Sequence, residues 1–122
     1  MNVTIQETGL KEHFSVQCPA LGANVVLLKE TWHGHILNPI TGHPYMKHKT
    51  DLVKRAVQGV TNINRFFRYG DIGKNEWFVD HECPDFKPLA NYLRVAFKRL
   101  DTGVIIITSA YKMERGILNY EP

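Results

Sequence analysis

Cysteine is scarce in this chain, and long hydrophobic runs are missing. Of 122 residues, two are cysteines, Cys18 and Cys83. They could close one bridge at most, and with no export pattern in view reduced thiols are the expected state. Neither belongs to a Cys-x-x-Cys pair, which excludes a thioredoxin-type redox site. The longest apolar runs, at 25–28 and 104–107, are four residues long, against the roughly 20 needed to span a bilayer. No membrane association is therefore expected. The opening residues Met1-Asn2-Val3-Thr4-Ile5 alternate like a strand and lack the basic-then-apolar order of a signal peptide, so the default localisation is cytoplasmic. Also missing are a glycine-rich phosphate loop, a Gly-x-Ser-x-Gly elbow and a paired-carboxylate pattern. Kinase, NTPase, serine hydrolase and glycosidase readings are left without a motif. No internal repeat, low-complexity tract or linker divides the chain, and its length suits a single domain, 1–122.

Charge is present in blocks. The net charge is +3, from 15 Lys/Arg and 12 Asp/Glu. Residues 47–68 hold six basic side chains (Lys47, Lys49, Lys54, Arg55, Arg65, Arg68) and one acid, Asp51. Residues 71–85 hold five acids against Lys74, and residues 87–115 return to six basic and two acidic. Two basic blocks lying on one side of a small domain would form a phosphate-attracting surface. The competing explanation is an ordinary solvated face.

Periodicity orders the elements. Residues 2–6 and 13–18 alternate apolar and polar around Thr8-Gly9, which predicts an N-terminal hairpin. Residues 24–29 are a short apolar run, strand or buried segment. A helix is expected to begin near Thr31 as N-cap, with Trp32 and Ile36 facing inward; Asn38-Pro39, Gly42 and Pro44 break it. Leu52, Val53, Ala56, Val57 and Val60 form one stripe of an amphipathic helix over 47–60, started by Thr50 or His43-Pro44 and ended by Gly59. Strands follow at 63–69, 77–81, 92–100 and 104–111, with Asp101-Thr102-Gly103 as a tight turn. The unbroken apolar start of the last suits a central strand covered on both faces. The expected class is α+β: an N-terminal hairpin, then one or two helices packed on a four-stranded antiparallel sheet.

Six histidines are the chemistry-bearing feature. His33, His35 and His43 cluster in sequence, with His48 close behind. Imidazole exchanges protons near neutral pH, which favours general acid–base work. A zinc site is the weaker reading, since two histidines two apart diverge on a helix and no supporting metal motif is present. Thr108, Ser109, Tyr111 and Arg115 lie at or just beyond the end of a buried strand, and Lys98 precedes the turn that leads into it. Hydroxyls, a phenol and cations so placed could hold and neutralise a phosphate.

Thr31-Trp32, His35-Ile36-Leu37, His43-Pro44 and Met46 precede the amphipathic helix. Arg94-Val95, Phe97-Lys98, Thr108, Ala110-Tyr111 and Arg115-Gly116 follow it. In that order these pieces resemble the phage-associated nuclease domains grouped with barnase, EndoU, colicin D and RelE. The resemblance covers 30–116 and leaves 1–29 as an N-terminal β extension. Tyr45 stands where those domains usually carry an acidic residue, the loop 38–42 is slightly longer, and Ser109 competes with Thr108 for the family's threonine position.

The resemblance implies a small toxin-like endoribonuclease of a phage or mobile element, working without metal or cofactor by attack of a ribose 2′-hydroxyl on the adjacent phosphate. His35 is the first candidate for acid–base work, with His33 or His43 as partner. Lys98 and Arg115 would stabilise charge, Thr108 or Ser109 would hold a phosphate oxygen, and Tyr111 lies beside them. Lys47, Lys49, Lys54, Arg55, Arg65 and Arg68 would track the RNA backbone. The implied partners are RNA, tRNA among the candidates, and an immunity or antitoxin protein. The alternative is a non-catalytic RNA- or protein-binding module on the same fold, using aromatics such as Phe66, Tyr69 or Tyr92 to stack bases.

Overall fold

The structure is a computed structural model that describes residues 11–59, 64–65, 75–83 and 92–114, residues 64–65 by their backbone alone. The expected strand at 2–6, most of that at 63–69, and the side chains of Arg65, Phe66, Arg68, Tyr69 and Arg115 lie outside the described residues. Strands β1 (Glu12–Cys18) and β2 (Ala23–Leu28) come first. A π-helical turn (Thr31–Ile36), a 3-10 turn (Pro44–Met46) and helix α1 (Thr50–Gly59) follow, then β3 (Asn64–Arg65), β4 (Glu76–Glu82), β5 (Tyr92–Arg99) and β6 (Ile105–Met113). The class is α+β. No helix among the described residues is long and apolar enough to cross a membrane.

The meander β3–β4–β5–β6 is antiparallel, as the alternation suggested. The sheet, however, is not a four-stranded antiparallel one. It is a mixed sheet of six strands in the order β1-β2-β6-β5-β4-β3, because β2 joins β6 in parallel. The physical reason lies in the two apolar runs. Val25 and Leu27 enter the main core, while Val26 and Leu28 pack with Val104 and Ile106 on the opposite face. Ile105 and Ile107 likewise face the main core. Strands apolar on both sides need a central place, and putting β2 beside β6 covers each. Residues of the N-terminal extension thus supply Phe14, Cys18, Val25 and Leu27 to the same core as α1 and the meander.

The hairpin observed is β1 with β2, closed by a turn at residues 19–22 in which the Gly22 amide donates to the Cys18 carbonyl at 2.9 Å. Helix α1 begins at Thr50 and ends at Gly59, within the expected 47–60. It buries Leu52, Val53, Ala56 and Val57 against the sheet face that carries Trp77, Val79, Leu93, Val95 and Phe97. Lys47 and Lys49 fall before the helix. Cys18 and Cys83 are buried and free.

Thr31 is not an N-cap. The chain is already helical at Lys29 and Glu30, and no side chain caps the turn. Trp32 and Ile36 do face inward. The turn closes with the wide bond of a π-helix, the Leu37 amide donating to the Trp32 carbonyl at 2.9 Å.

Residues 38–42 then fold back on this turn. The Asn38 side-chain oxygen accepts from the amides of Ile40 at 2.9 Å and Thr41 at 3.1 Å. The Gly42 amide donates to the Asn38 carbonyl, and the His43 amide to the Ile36 carbonyl. Glycine is obligatory here, since a Cβ on residue 42 would sit 2.2 Å from the His35 carbonyl oxygen and 2.6 Å from that of Ile36.

Gly42→Ala must therefore push the fold-back off the π turn, at a cost of about 1–3 kcal/mol. Gly34, with nothing within 4 Å of its virtual Cβ, is the control: Gly34→Ala is expected to stabilise by about 0.5 kcal/mol through reduced freedom of the unfolded chain. Thermal melts of the two variants should move in opposite directions.

Candidate functional site

The site is built where two strands end unequally. Parallel β2 meets β6 at Val26 opposite Ile106 and stops at Leu28, whereas β6 runs on to Met113. The far half of β6 therefore extends past its neighbour, and the 43–46 segment lies against it. The Lys112 amide donates to the Tyr45 hydroxyl at 3.0 Å. The Lys112 ammonium lies 4.4 Å from the Tyr45 ring centroid. The His43 imidazole stacks on the Tyr111 ring, centroids 5.1 Å apart and planes at 27°. Its Nδ1 is 3.4 Å from the Tyr45 hydroxyl.

Burial holds the pKa of His43 below the usual histidine range, and the nearby charge of His35 lowers it further. His35 is exposed, while His43 is half-buried. Proximity of the pair follows from Gly42, which presses the fold-back against the His35 and Ile36 carbonyls.

Across β5–β6 Tyr111 pairs with Arg94. Arg94 is in turn gripped by Asp80, with Nε to Oδ1 at 2.7 Å and Nη2 to Oδ2 at 2.8 Å. Asp80 is 1% exposed. The guanidinium carbon lies 4.0 Å from the Phe78 ring centroid. The two bonds to Asp80 raise the Arg94 pKa above its ordinary value, against its partial burial. Such a bidentate pair has fixed geometry, and removing one member of a buried pair typically costs about 3–5 kcal/mol.

The remaining sequence candidates separate. His33 and His35, two apart on the turn, diverge as helical geometry requires. His33 meets His13 edge-on at 5.8 Å, and His13 stacks on Trp32 at 5.5 Å and bonds Thr50 Oγ1 at 3.1 Å. Lys98 is not brought to the histidines. Its register opposite Ile106 and Glu76 leaves it exposed, four residues from Arg94 along β5, or roughly 13 Å.

Between Ala96 and Phe97 the partner steps from Ser109 to Ile107. Thr108 is the extra residue of a bulge, and Ser109 is the hydroxyl that shares its face with Tyr111. His48 is exposed, at a left-handed position with φ 66°.

Among the described residues the two basic blocks do not share one side of the sheet. Alternation puts Arg94 and Lys98 on the face away from α1, and Arg99 and Lys112 on the face towards it; the Arg99 guanidinium sits 5.2 Å from the Trp77 ring centroid. Lys54 is half-buried, its ammonium 5.3 Å from the Phe14 ring centroid, and Arg55 is exposed.

Asp80, Arg94, Tyr45 and His13 were not singled out as site residues in the sequence. The one available signal was an acid, Asp80, directly after the apolar Trp77-Phe78-Val79. Among the described residues no three His, Cys, Asp or Glu side chains gather as a metal set. Comparison with protein families, curated proteins and solved structures finds no match for this chain.

His13, His43 and His81 all have pKa values lowered by burial, His13 and His81 further by nearby cations. A depressed histidine leaves the folded chain binding fewer protons than the unfolded one, so stability falls as pH drops below about 6.5, the ordinary histidine value. NMR titration should place the midpoints of these three rings below 6.5, and urea melts should show stability declining from pH 7 to pH 5.

Proposed function

We propose that the chain is a metal-independent endoribonuclease whose acid–base pair is His43 and His35, in line with its resemblance to the barnase/EndoU/colicin D/RelE-like nucleases. The observation that carries the reading is the His43 ring stacked on Tyr111 at the overhanging edge of β6, with His35 close enough for its charge to act on it. Acid–base catalysis at neutral pH needs one group that is unprotonated and another that can give a proton. Burial and the neighbouring His35 suit His43 to the first task. The mechanism takes the tautomer with the proton on Nδ1, which faces the Tyr45 hydroxyl oxygen 3.4 Å away, and the lone pair on Nε2.

In this mechanism His43 Nε2 takes the proton of a ribose 2′-hydroxyl. The 2′-oxygen forms a bond to the adjacent phosphorus, and the bond from phosphorus to the 5′-oxygen breaks. His35 gives its proton to that leaving oxygen. The products are a 2′,3′-cyclic phosphate and a 5′-hydroxyl; His43 ends protonated and His35 neutral, so one proton returns through solvent.

Lys112, at the same edge, takes the charge-stabilising role first considered for Lys98, and Arg115 follows three residues later in the sequence. Ser109 and Tyr111 supply hydroxyls on one face. Arg94, fixed by Asp80, acts as a positioning residue opposite Tyr111, on which the His43 ring stacks.

His35 gives the cleanest test, because an exposed side chain can be removed with little effect on folding. His35→Ala is expected to keep the wild-type melting temperature and slow single-turnover RNA cleavage by about a hundredfold to ten-thousandfold. RNA with 2′-deoxyribose at the scissile position should resist cleavage, and a chelator should change nothing. A folded His35→Ala protein that cleaves at the wild-type rate overturns the assignment. Binding without cleavage by either protein leaves a binding module, with the His43–Tyr111 stack as its base platform.

A further inference from the structure

The second histidine cluster lies outside the acid–base pair and is built from four different elements. His13 comes from β1, Lys29 from the residue directly after β2, His33 from the π turn, and Thr50 and Lys54 from α1. His13 is the hub. It stacks on the buried Trp32 with planes only 13° apart, meets His33 edge-on, and shares a hydrogen bond of 3.1 Å with the Thr50 hydroxyl. The ring is therefore held in place by an aromatic face and a polar contact, while its neighbours are cations. Lys54 lies against the adjacent Phe14 ring, and Lys29 and His33 are exposed. Of the acids on these elements, Glu12 lies next to His13 in β1, and Glu30 and Asp51 are exposed at the starts of the turn and α1.

We infer that His13, His33, Lys29 and Lys54 form a phosphate-binding subsite, separate from the His43–His35 pair, that takes a backbone phosphate of the bound RNA strand. Lysine and imidazole groups drawn from several elements around the His13 ring supply donors for a compact dianion or phosphodiester. Like charges held close repel one another, and an anion placed among them removes that repulsion. Among the described residues the charges acting on His13 are His33, Lys29 and Lys54, all of which oppose its protonation. An anion reverses that sign. Binding and protonation are then reciprocal: the phosphate favours protonated His13, and protonated His13 favours the phosphate by the same factor. The proposed cleavage reaction enters this inference only in identifying the phosphate as part of an RNA strand. His33 and His35, two apart in sequence, thus serve different phosphates on two sides of one turn.

The test is an NMR titration of the histidine rings in the whole chain, with His13 and His43 assigned from His13→Gln and His43→Gln spectra. The probes are inorganic phosphate and a short oligodeoxyribonucleotide, which has no 2′-hydroxyl and cannot be cut by the proposed route. The pKa of His13 is expected to rise by about one unit with a saturating probe, equivalent to roughly tenfold tighter anion binding when His13 is protonated.

A larger rise with the oligonucleotide than with inorganic phosphate, at equal phosphate concentration, identifies the strand backbone as the source; equal rises identify free phosphate. In Lys29→Ala/Lys54→Ala protein, whose fold is checked by the same spectrum, the rise should shrink by more than half. The inference is overturned if His13 does not shift with either probe, if the double variant shifts as much as wild type, or if His43 follows His13 step for step. RNA that binds with the His13 shift but is never cut would instead overturn the cleavage reading and leave the subsite standing.

Discussion

The site depends on one mismatch of length. β2 ends at Leu28 while its parallel neighbour β6 continues to Met113, so the last residues of β6 have an edge that β2 cannot pair. An exposed strand edge invites other partners, and here the chain's own 43–46 segment lies against it, with the Tyr45 hydroxyl taking the Lys112 amide. Covering the edge in this way delivers His43 onto Tyr111. What holds the segment at the right height is the fold-back at Gly42, too close to the π turn for any side chain. Sheet geometry, one glycine and one tyrosine together set the position of the imidazole.

Electrostatics reinforce this placement from below. Arg94 is fixed by a bidentate bond to buried Asp80 and stacked over Phe78, so its cross-strand neighbour Tyr111 rests on a rigid support. A cation held this way contributes little to a flexible phosphate clamp and much to orientation. Other cations sit around the edges: Lys112 over Tyr45, and Lys54 over Phe14. The π turn separates two histidine environments, His35 with His43 on one side and His33 with His13 on the other.

Much of the fold was legible because the relevant signals are local. The stripe Leu52, Val53, Ala56, Val57 marked α1, the alternation in 92–100 marked β5, and the unbroken 104–107 run marked a strand covered on both faces. The equally unbroken 25–28 run carried the same message about β2, yet its parallel partner lies some eighty residues away in sequence, and no local pattern announces such a pairing. The antiparallel four-stranded expectation fell short for that reason.

At the site, His35 and His43 were legible as histidines, and the divergence of His35 from His33 followed from helical geometry. Lys98 was misplaced because its register against β6 is set by the hairpin turn and the bulge at Thr108, neither of which can be counted from composition. Asp80 and Arg94 escaped notice because a buried ion pair becomes visible only once two strands are in register.

The central claim is that His43, lowered by burial and by His35, is the proton acceptor in RNA cleavage. The most direct measurement is the pH dependence of the single-turnover cleavage rate for wild-type protein and His43→Gln. The wild-type profile is expected to be bell-shaped with an acid limb that falls below pH 6.5, and the slow variant to lack that limb. An acid limb that persists unchanged in folded His43→Gln, or wild-type cleavage that shows no acid limb at all, would contradict it.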